Sequence, residues 1–301
     1  MSPLHKFIDS LHIRFHHAGF REVVEPLELF DVREKCNYIV LLDRGDFIAG
    51  KEQHRVHPNS FYFFPGGQAI YARHGKNPSK KIPPQDFLDL EARARHFIPI
   101  SGLDIPNDKK DVFVAVAFEV LLYETIPFFE VLGLPPFPLV SDTEFGHLIR
   151  YIALESEQQK LGRDKIIRNY MEEIIIHLCR YMDNQSAFKP YLDKLEFLTD
   201  RRLVDIVTFI KERLSGDLSN KVLANVAYVS EDYVGQFFKS LTGKNLQEYI
   251  EEQRLQRAHF LIRNSPDSIQ EIAHQVGFKD PAYFSRRFKL RFGQNATALR
   301  D

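Results

Sequence analysis

The stretch SIQEIAHQVGFKDPAYFSRRFK, Ser268 to Lys289, decides the fold of the last third of this chain. Ser268 and Glu271 stand at the S-x-x-E spacing of a capping box, in which side chain and backbone satisfy each other's free groups at a helix start. Gly277 supplies a turn residue that tolerates positive φ. Asp280-Pro281 places an N-cap before a proline at the first helical position, where the missing N–H costs nothing. Phe284, Phe288 and Phe292 then recur every four residues and define one buried side of a second helix. The stretch predicts helix, short turn, helix.

The same passage occurs earlier. Leu223-Ala224, Val234, Phe238, Lys239, Gly243 and Asn245 are matched by Ile272-Ala273, Phe284, Phe288, Lys289, Gly293 and Asn295, at an offset of 49 before the turn and 50 after it. In the first copy a helix is predicted from Ser219 to Val226, a turn through Tyr228-Val229, and a helix capped by Ser230 and running to about Leu241. Between the copies, Asn245 to Ile262 carries Leu246, Tyr249, Ile250, Leu255, Ala258, Leu261 and Ile262, one side of a long helix. Two similar helices presented from one rigid body suit two successive major grooves of double-stranded DNA.

Spacing separates the faces of the two second helices. Val234, Phe237 or Phe238, and Leu241 point inward in the first, leaving Asp232, Gly235, Gln236 and Lys239 outward. In the second, Ala282, Ser285, Arg286 and Lys289 face outward. Arg286 is suited to donate two hydrogen bonds to guanine O6 and N7, Gln236 to pair with adenine, and Ala282 to approach a thymine methyl. Arg287, Lys289 and Arg291 have no acidic residue among them and are expected to neutralise phosphates. A charge run alone is ordinarily a solvated helix face; its recurrence on two equivalent faces is what points to DNA. From residue 201 onward 16 Lys and Arg face 12 Asp and Glu, a net +4, and the remainder carries 24 against 29, a net −5.

Together, Ser268 to Lys289 with Gly293, and the segment EEQRLQRAHFLI from Glu251 to Ile262 with its Arg-Leu pair followed by Ala, resemble the signature of the AraC/XylS family of bacterial transcription regulators. The resemblance covers about residues 200 to 300. It implies two helix-turn-helix subdomains gripping one face of DNA. By position in the motif, the family's base-reading residues fall on Asp232, Gln236, Pro281, Ala282 and Arg286. Ser230, Lys239, Ser285, Arg287 and Lys289 complete the expected DNA-binding set. Two departures stand out. The first recognition helix begins Glu231-Asp232 and has Gln236 where arginine is frequent, which shifts base reading towards the second. The terminal Ser-Pro and Tyr-Arg pattern is replaced by Asn295-Ala296 and Leu299-Arg300.

Residues 22 to 125 read as β. Strands are predicted at Asn37 to Leu42, Phe47 to Ala49, Arg55-Val56, Ser60 to Phe64, Ala69 to Ala72 and Val112 to Glu124, with turns at Asp43 to Asp46 and Pro65-Gly66-Gly67. The rhythm suggests a small barrel or jelly roll, and the resemblance implies a cupin-like sensor and dimerisation domain. Asn77 to Pro84 reads as a polar loop and Phe87 to Ile100 as helix or strand. From Asp142 the period is helical. Phe145, Leu148, Ile149 and Ile152 form one amphipathic stretch; Ile166, Ile167, Tyr170, Met171, Ile174, Ile175, Leu178 and Tyr181 form another. Periodicity does not separate core from a dimer interface in these two. Asp183 to Lys189 reads as a linker. The expected organisation is α+β: a cupin-like β-barrel over 1–140, a helical dimerisation or packing region over 141–188, and a double helix-turn-helix over 189–301.

Two cysteines, Cys36 and Cys179, support neither a disulfide framework nor a zinc cluster. His54, His57 and His74 lack the three or four converging ligands a metal needs, and Phe61, Tyr62, Phe63 and Phe64 fit a pocket wall or core packing. No cofactor, catalytic arrangement, signal peptide or membrane span is expected, so the chain reads as cytoplasmic. The leading reading is a homodimeric DNA-binding regulator controlled by an unknown small-molecule effector, working with RNA polymerase if an activator. The alternatives are a metal-dependent cupin enzyme fused to the same DNA-binding domain, or a regulator controlled by a partner protein on residues 142 to 182.

Overall fold

The computed structural model describes residues 3–76, 80–105, 110–124, 126–139, 143–158, 160–195, 200–292 and 294–299. Gly293, Arg300, Asp142 and the start of the loop from Asn77 lie outside them. The architecture is α+β, and the chain divides into two compact units, residues 1–193 and 194–301.

The first unit holds β1 (Leu11–Val23), β2 (Leu27–Arg33), β3 (Asn37–Arg44), β4 (Phe47–Ala49), β5 (His54–Val56), β6 (Phe61–Phe64), β7 (Ala69–His74), β8 (Lys80–Ile82), α1 (Pro84–Leu88), α2 (Leu90–Ala94), β9 (Phe97–Ile100), β10 (Val112–Leu122), β11 (Ile126–Pro127), α3 (Phe128–Leu132), β12 (Phe137–Leu139), α4 (Thr143–Glu157), α5 (Arg163–Asp183) and α6 (Lys189–Leu192). Among the described residues the strands do not close into the expected barrel. They form two sheets, one ordered β12-β6-β3-β10-β1-β9 with β11 on β10, the other β5-β4-β7-β2-β8. Strand rhythm predicts how many strands there are but not which of them pair.

Alternation explains the layers. Tyr38, Val40 and Leu42 of β3, Tyr62 and Phe64 of β6, and Phe113 and Ala117 of β10 share one core with Leu27, Leu29, Phe47, Ile70 and Ala72 of the smaller sheet. The opposite face of the larger sheet is also buried: Phe61 meets Phe145 of α4 edge-on at 5.0 Å, and Phe63 meets Phe129 and Phe137 at 4.9 and 5.3 Å. Strand β10 is therefore covered on both sides, which is why it reads as a nearly continuous apolar run.

The longest strand, β1, lies in the N-terminal segment that the sequence did not mark as β, because its first half is His- and Arg-rich and only partly buried. Phe87 to Ile100 splits into α1, α2 and β9. The buried stripe of α5 is Ile167, Met171, Ile174, Ile175, Leu178 and Cys179, while Ile166 is exposed. The segment read as a linker, Asp183 to Lys189, is folded: Phe188 is buried and its ring lies 4.7 Å from that of Phe137.

The second unit is helical: α7 (Arg201–Glu212), α8 (Asn220–Ala227), α9 (Glu231–Thr242), α10 (Leu246–Asn264), α11 (Ile269–Gln275) and α12 (Pro281–Phe292). Around α10 and α12 a core of Leu255, Ala258, Ile262, Ile272, Ala273, Val276, Phe278, Phe284 and Phe288 forms. Gly277 has φ +98°, and a Cβ there would lie 2.5 Å from the carbonyl oxygen of Leu214 and 2.8 Å from Arg254 Nε. Both the dihedral and the close approach require glycine. Arg254 uses that space, donating from Nε to Leu214 O at 2.9 Å and from Nη2 to Gly216 O at 3.3 Å. The arginine of the Arg-Leu pair thus ties α10 to the turn after α7.

Candidate nucleic-acid interface

The repeat reappears as matched hydrogen bonds. Val229 N–H donates to Ala224 O at 3.0 Å, and Phe278 N–H to Ala273 O at 2.9 Å, an offset of 49 at both ends. Past the turn, Val234 N–H donates to Ser230 O at 3.1 Å and Phe284 N–H to Asp280 O at 3.0 Å, an offset of 50. The turn positions are Tyr228 with φ 54° and Gly277 with φ 98°. The two helix pairs are built alike.

The caps differ. Ser268 and Glu271 form the reciprocal capping box, with Ser268 N–H donating to Glu271 Oε2 at 2.7 Å and Glu271 N–H to Ser268 Oγ at 3.2 Å. Asp280 Oδ1 accepts from Ala282 N–H at 2.8 Å. Ser230 occupies the N-cap of α9 with extended backbone, but its side chain makes no cap bond.

On α9, Asp232, Gln236 and Lys239 are exposed, as spacing predicted, while Val234, Phe237 and Phe238 are buried. Glu231 and Asp232 sit in the first turn, where carboxylates favour the positive end of the helix. On α12, Ala282, Ser285, Arg286 and Lys289 are exposed and Pro281 is half-buried. Ser285 Oγ donates back to Pro281 O at 2.9 Å.

Arg287 sits elsewhere in the electrostatics than its neighbours in sequence suggest. It is half-buried, and its Nε donates to Glu251 Oε1 at 2.5 Å. Tyr283 OH donates to Glu251 Oε2 at 2.6 Å, and Arg291 Nη2 to Glu252 Oε1 at 3.1 Å. Two acids at the start of α10 therefore brace α12. The segment around Arg287 has no acid of its own, but the fold brings one. Glu251 holds the Arg287 guanidinium above its ordinary value and raises the Tyr283 phenol as well. The sequence does not announce Glu251 and Glu252, because nothing in the local pattern of α10 signals contacts 32 to 39 residues on. Among the described residues Arg286 and Lys289 have no acidic partner. The helix thus divides its cations: Arg287 and Arg291 hold structure, and Arg286 and Lys289 face outward unspent.

The first unit contains a separate candidate site. A cavity of about 360 Å³ opens between its two sheets, lined by apolar groups including Leu29, Phe47, Ile70 and Phe113, with Arg21, Arg93, His17 and His74 in its wall. Small residues hollow it: Ala72 and Ala115 line it, and Gly19 pairs with Ala115 across the strands. The guanidinium of Arg21 lies over Gly19 and donates to Phe20 O at 2.9 Å. Arg93 donates to Glu34 Oε1 at 3.3 Å and to the Tyr38 hydroxyl at 3.2 Å. Burial and the two arginines push His17 down to about 4. His54 and His57 are exposed and His74 is buried, and none of them belongs to a metal-type cluster among the described residues.

The family described as "Helix-turn-helix domain" matches residues 223–301. That match covers about a quarter of the chain and falls in its second unit. The chain is similar to the HTH-type transcriptional regulator GlxA of Rhizobium meliloti, 31% identical over 40% of this chain and 33% of the relative. It is also similar to the HTH-type transcriptional activator RhaS of Escherichia fergusonii, 30% identical over 51% of this chain and 53% of the relative. Among solved structures, the DNA-binding domain of the global transcriptional factor AdpA in complex with a target DNA matches 33% of this chain and 88% of that one, at 30% identity and a TM-score of 0.31. The alignments span between a third and about half of the length of these curated relatives. The matched region includes both candidate recognition helices, α9 and α12.

Proposed function

We propose that this chain is a sequence-specific, DNA-binding transcription regulator. The observation that carries the reading is the pair Arg286 and Lys289, exposed and without an acidic partner among the described residues, on a helix whose other cations are braced by α10. In this reading α9 and α12 enter successive major grooves. Arg286 reads a guanine, Ala282 packs on a base edge, and Lys239, Lys289 and the Ser230 hydroxyl hold phosphates. The second copy contributes most of the base reading, because α9 begins with two carboxylates that repel the backbone. Arg286→Ala is expected to weaken specific binding by about 1–3 kcal/mol and to relax preference at one base pair. Electrophoretic titration at fixed salt against a panel of single-base operator variants reads both. Unchanged affinity and preference would sink the assignment.

The first unit is the sensor in this reading, a two-sheet relative of the cupin-like sensor domain, and the chain acts in the cytoplasm. It assembles as a homodimer, with RNA polymerase as a partner if it activates. Tyr151, 52% exposed on α4 and stacked on Tyr170 of α5, marks the outer face of these helices as the surface available to a second copy. The effector enters the cavity between the sheets. Its chemistry follows from the wall: an apolar body for Leu29, Phe47, Ile70 and Phe113, and an anionic end for Arg21. Among the described residues that guanidinium has no carboxylate hydrogen-bonded to it. Glu157, which acts on it electrostatically, is hydrogen-bonded to Ser101 and Gly102. Straight-chain carboxylic acids are expected to raise the melting temperature of the chain where alcohols of equal length do not, and Arg21→Ala to abolish the difference. Equal shifts by acid and alcohol would exclude an anionic effector while leaving DNA binding untouched.

A further inference from the structure

Strand β1 carries a bulge at His16. Phe15 pairs with Phe118 and His17 with Ala117, so His16 is an extra residue with no partner opposite. A bulge of this kind re-aims a side chain. His17 is turned to the cavity, and His16 to two groups on neighbouring strands. Its Nε2 lies 3.7 Å from Glu119 Oε2 of β10. Cys36, the residue before β3, brings its Sγ to the same place, and the three ligand-type atoms lie within 4.8 Å of one another. These residues are distant in sequence but adjacent across three consecutive strands, β1, β10 and β3.

The arrangement is held from outside. Asn37 is buried, donates from Nδ2 to Phe118 O at 3.0 Å and accepts from Gly66 N–H at 2.9 Å. Asn37 follows Cys36 and Phe118 precedes Glu119, so this clamp fixes two of the three groups side by side. Arg14 Nη1 stands 3.7 Å from Glu119 Oε2 and balances the carboxylate from the other side. Such outer partners orient metal ligands and tune their basicity.

We propose that His16, Cys36 and Glu119 form a binding site for one divalent transition-metal ion of borderline softness, zinc in the first place. One nitrogen, one thiolate and one carboxylate oxygen are ligand types that zinc accepts. In a tetrahedral zinc site such atoms stand about 3.3–3.6 Å apart, as the bond lengths require. The observed spacing needs only side-chain adjustment to reach that. A water fills the fourth position. The two negative ligands and Arg14 leave the loaded site with a modest positive charge, and the metal cross-links the three strands at the end of the sandwich next to His17. The sequence hid the site because its ligands come singly, without the paired spacing of a zinc motif.

The test uses the full chain, stripped with a chelator and dialysed against zinc or cobalt. One equivalent of zinc is expected by elemental analysis. Cobalt is expected to give tetrahedral visible bands and a sulfur-to-cobalt charge-transfer band. That band reports Cys36 alone, because the other thiol, Cys179, is buried in α5. Cys36→Ser should abolish the band, and Cys36→Ser, His16→Gln and Glu119→Gln should each weaken zinc by about 100-fold or more, beyond what outer partners contribute. His57→Gln should change neither. Circular dichroism of each variant separates loss of ligand from loss of fold, and Cys36→Ser, nearly isosteric at a half-buried position, keeps the fold. Substoichiometric zinc, or wild-type affinity in any of the three ligand variants, overturns the proposal.

Discussion

Phe288→Ala is expected to cost the second unit about 3–5 kcal/mol and, with it, the helix that carries Arg286. Phe288 is fully buried and its ring meets Phe284 at 5.5 Å, Phe292 at 4.6 Å and His259 of α10 at 6.2 Å. Truncation leaves a void between aromatic rings held on two helices that are also joined by Glu251 to Arg287 and Tyr283. A void so braced collapses poorly, which places the cost at the upper end of large-to-small substitutions. Domains of this size have about 5–15 kcal/mol in hand, so the variant populates a state in which α11 and α12 are undone. The reading is a urea titration followed by a DNA-binding titration. The transition of the second unit moves to lower denaturant and specific binding falls, while the transition of the first unit stays in place. Phe288→Leu, which keeps most of the volume, recovers most of the loss. A cost under about 1 kcal/mol would mean that the aromatic stripe is not the core of the second subdomain.

That stripe was legible in the sequence, and so was the whole repeat. Signals that act within one turn of chain survive reading in one dimension: the Ser268–Glu271 box, the Asp280 cap, the Gly277 turn and the four-residue recurrence of Phe284 and Phe288. The outward set of α12 followed by subtraction. What the sequence does not carry is of another kind. No acid is near Arg287 in sequence, yet Glu251 reaches it from α10. The barrel became two sheets because β2 pairs with β7 and β8, and β3 with β6 and β10, a choice made by burial between sheets. β1 does not read as a strand because its charged first half includes the very residues, Arg14, His16 and His17, that the fold gathers at the end of the sandwich. Chemistry assembled across strands leaves no local period, so the N-terminal sites were the least readable part of the chain.

His74 is one of those cross-strand features, and it sets the second large effect. Its ring is stacked on Phe47 at 4.5 Å and on Phe113 at 5.0 Å, with Phe97 edge-on at 5.7 Å. It is 3% exposed, and its Nδ1 has no partner among the described residues. Burial alone pushes it down to about 3. Above pH 6.5 the imidazole is neutral in folded and unfolded chains alike, so stability there is intact. Below it the unfolded chain takes up a proton that the folded one refuses, and stability falls by about 1.4 kcal/mol per pH unit until the folded group itself titrates. At pH 5 the loss from this residue is about 2 kcal/mol. His74→Phe keeps a ring of similar shape between Phe47 and Phe113 and removes the proton. The first unit of the variant should therefore gain about 2 kcal/mol on the wild type at pH 5, over and above their difference at pH 8. Comparing the two pH values in both chains cancels every other titrating group they share, Asp111 and His96 included. The same difference at both pH values would mean that His74 is free to protonate in place, and that water reaches it through the cavity it lines.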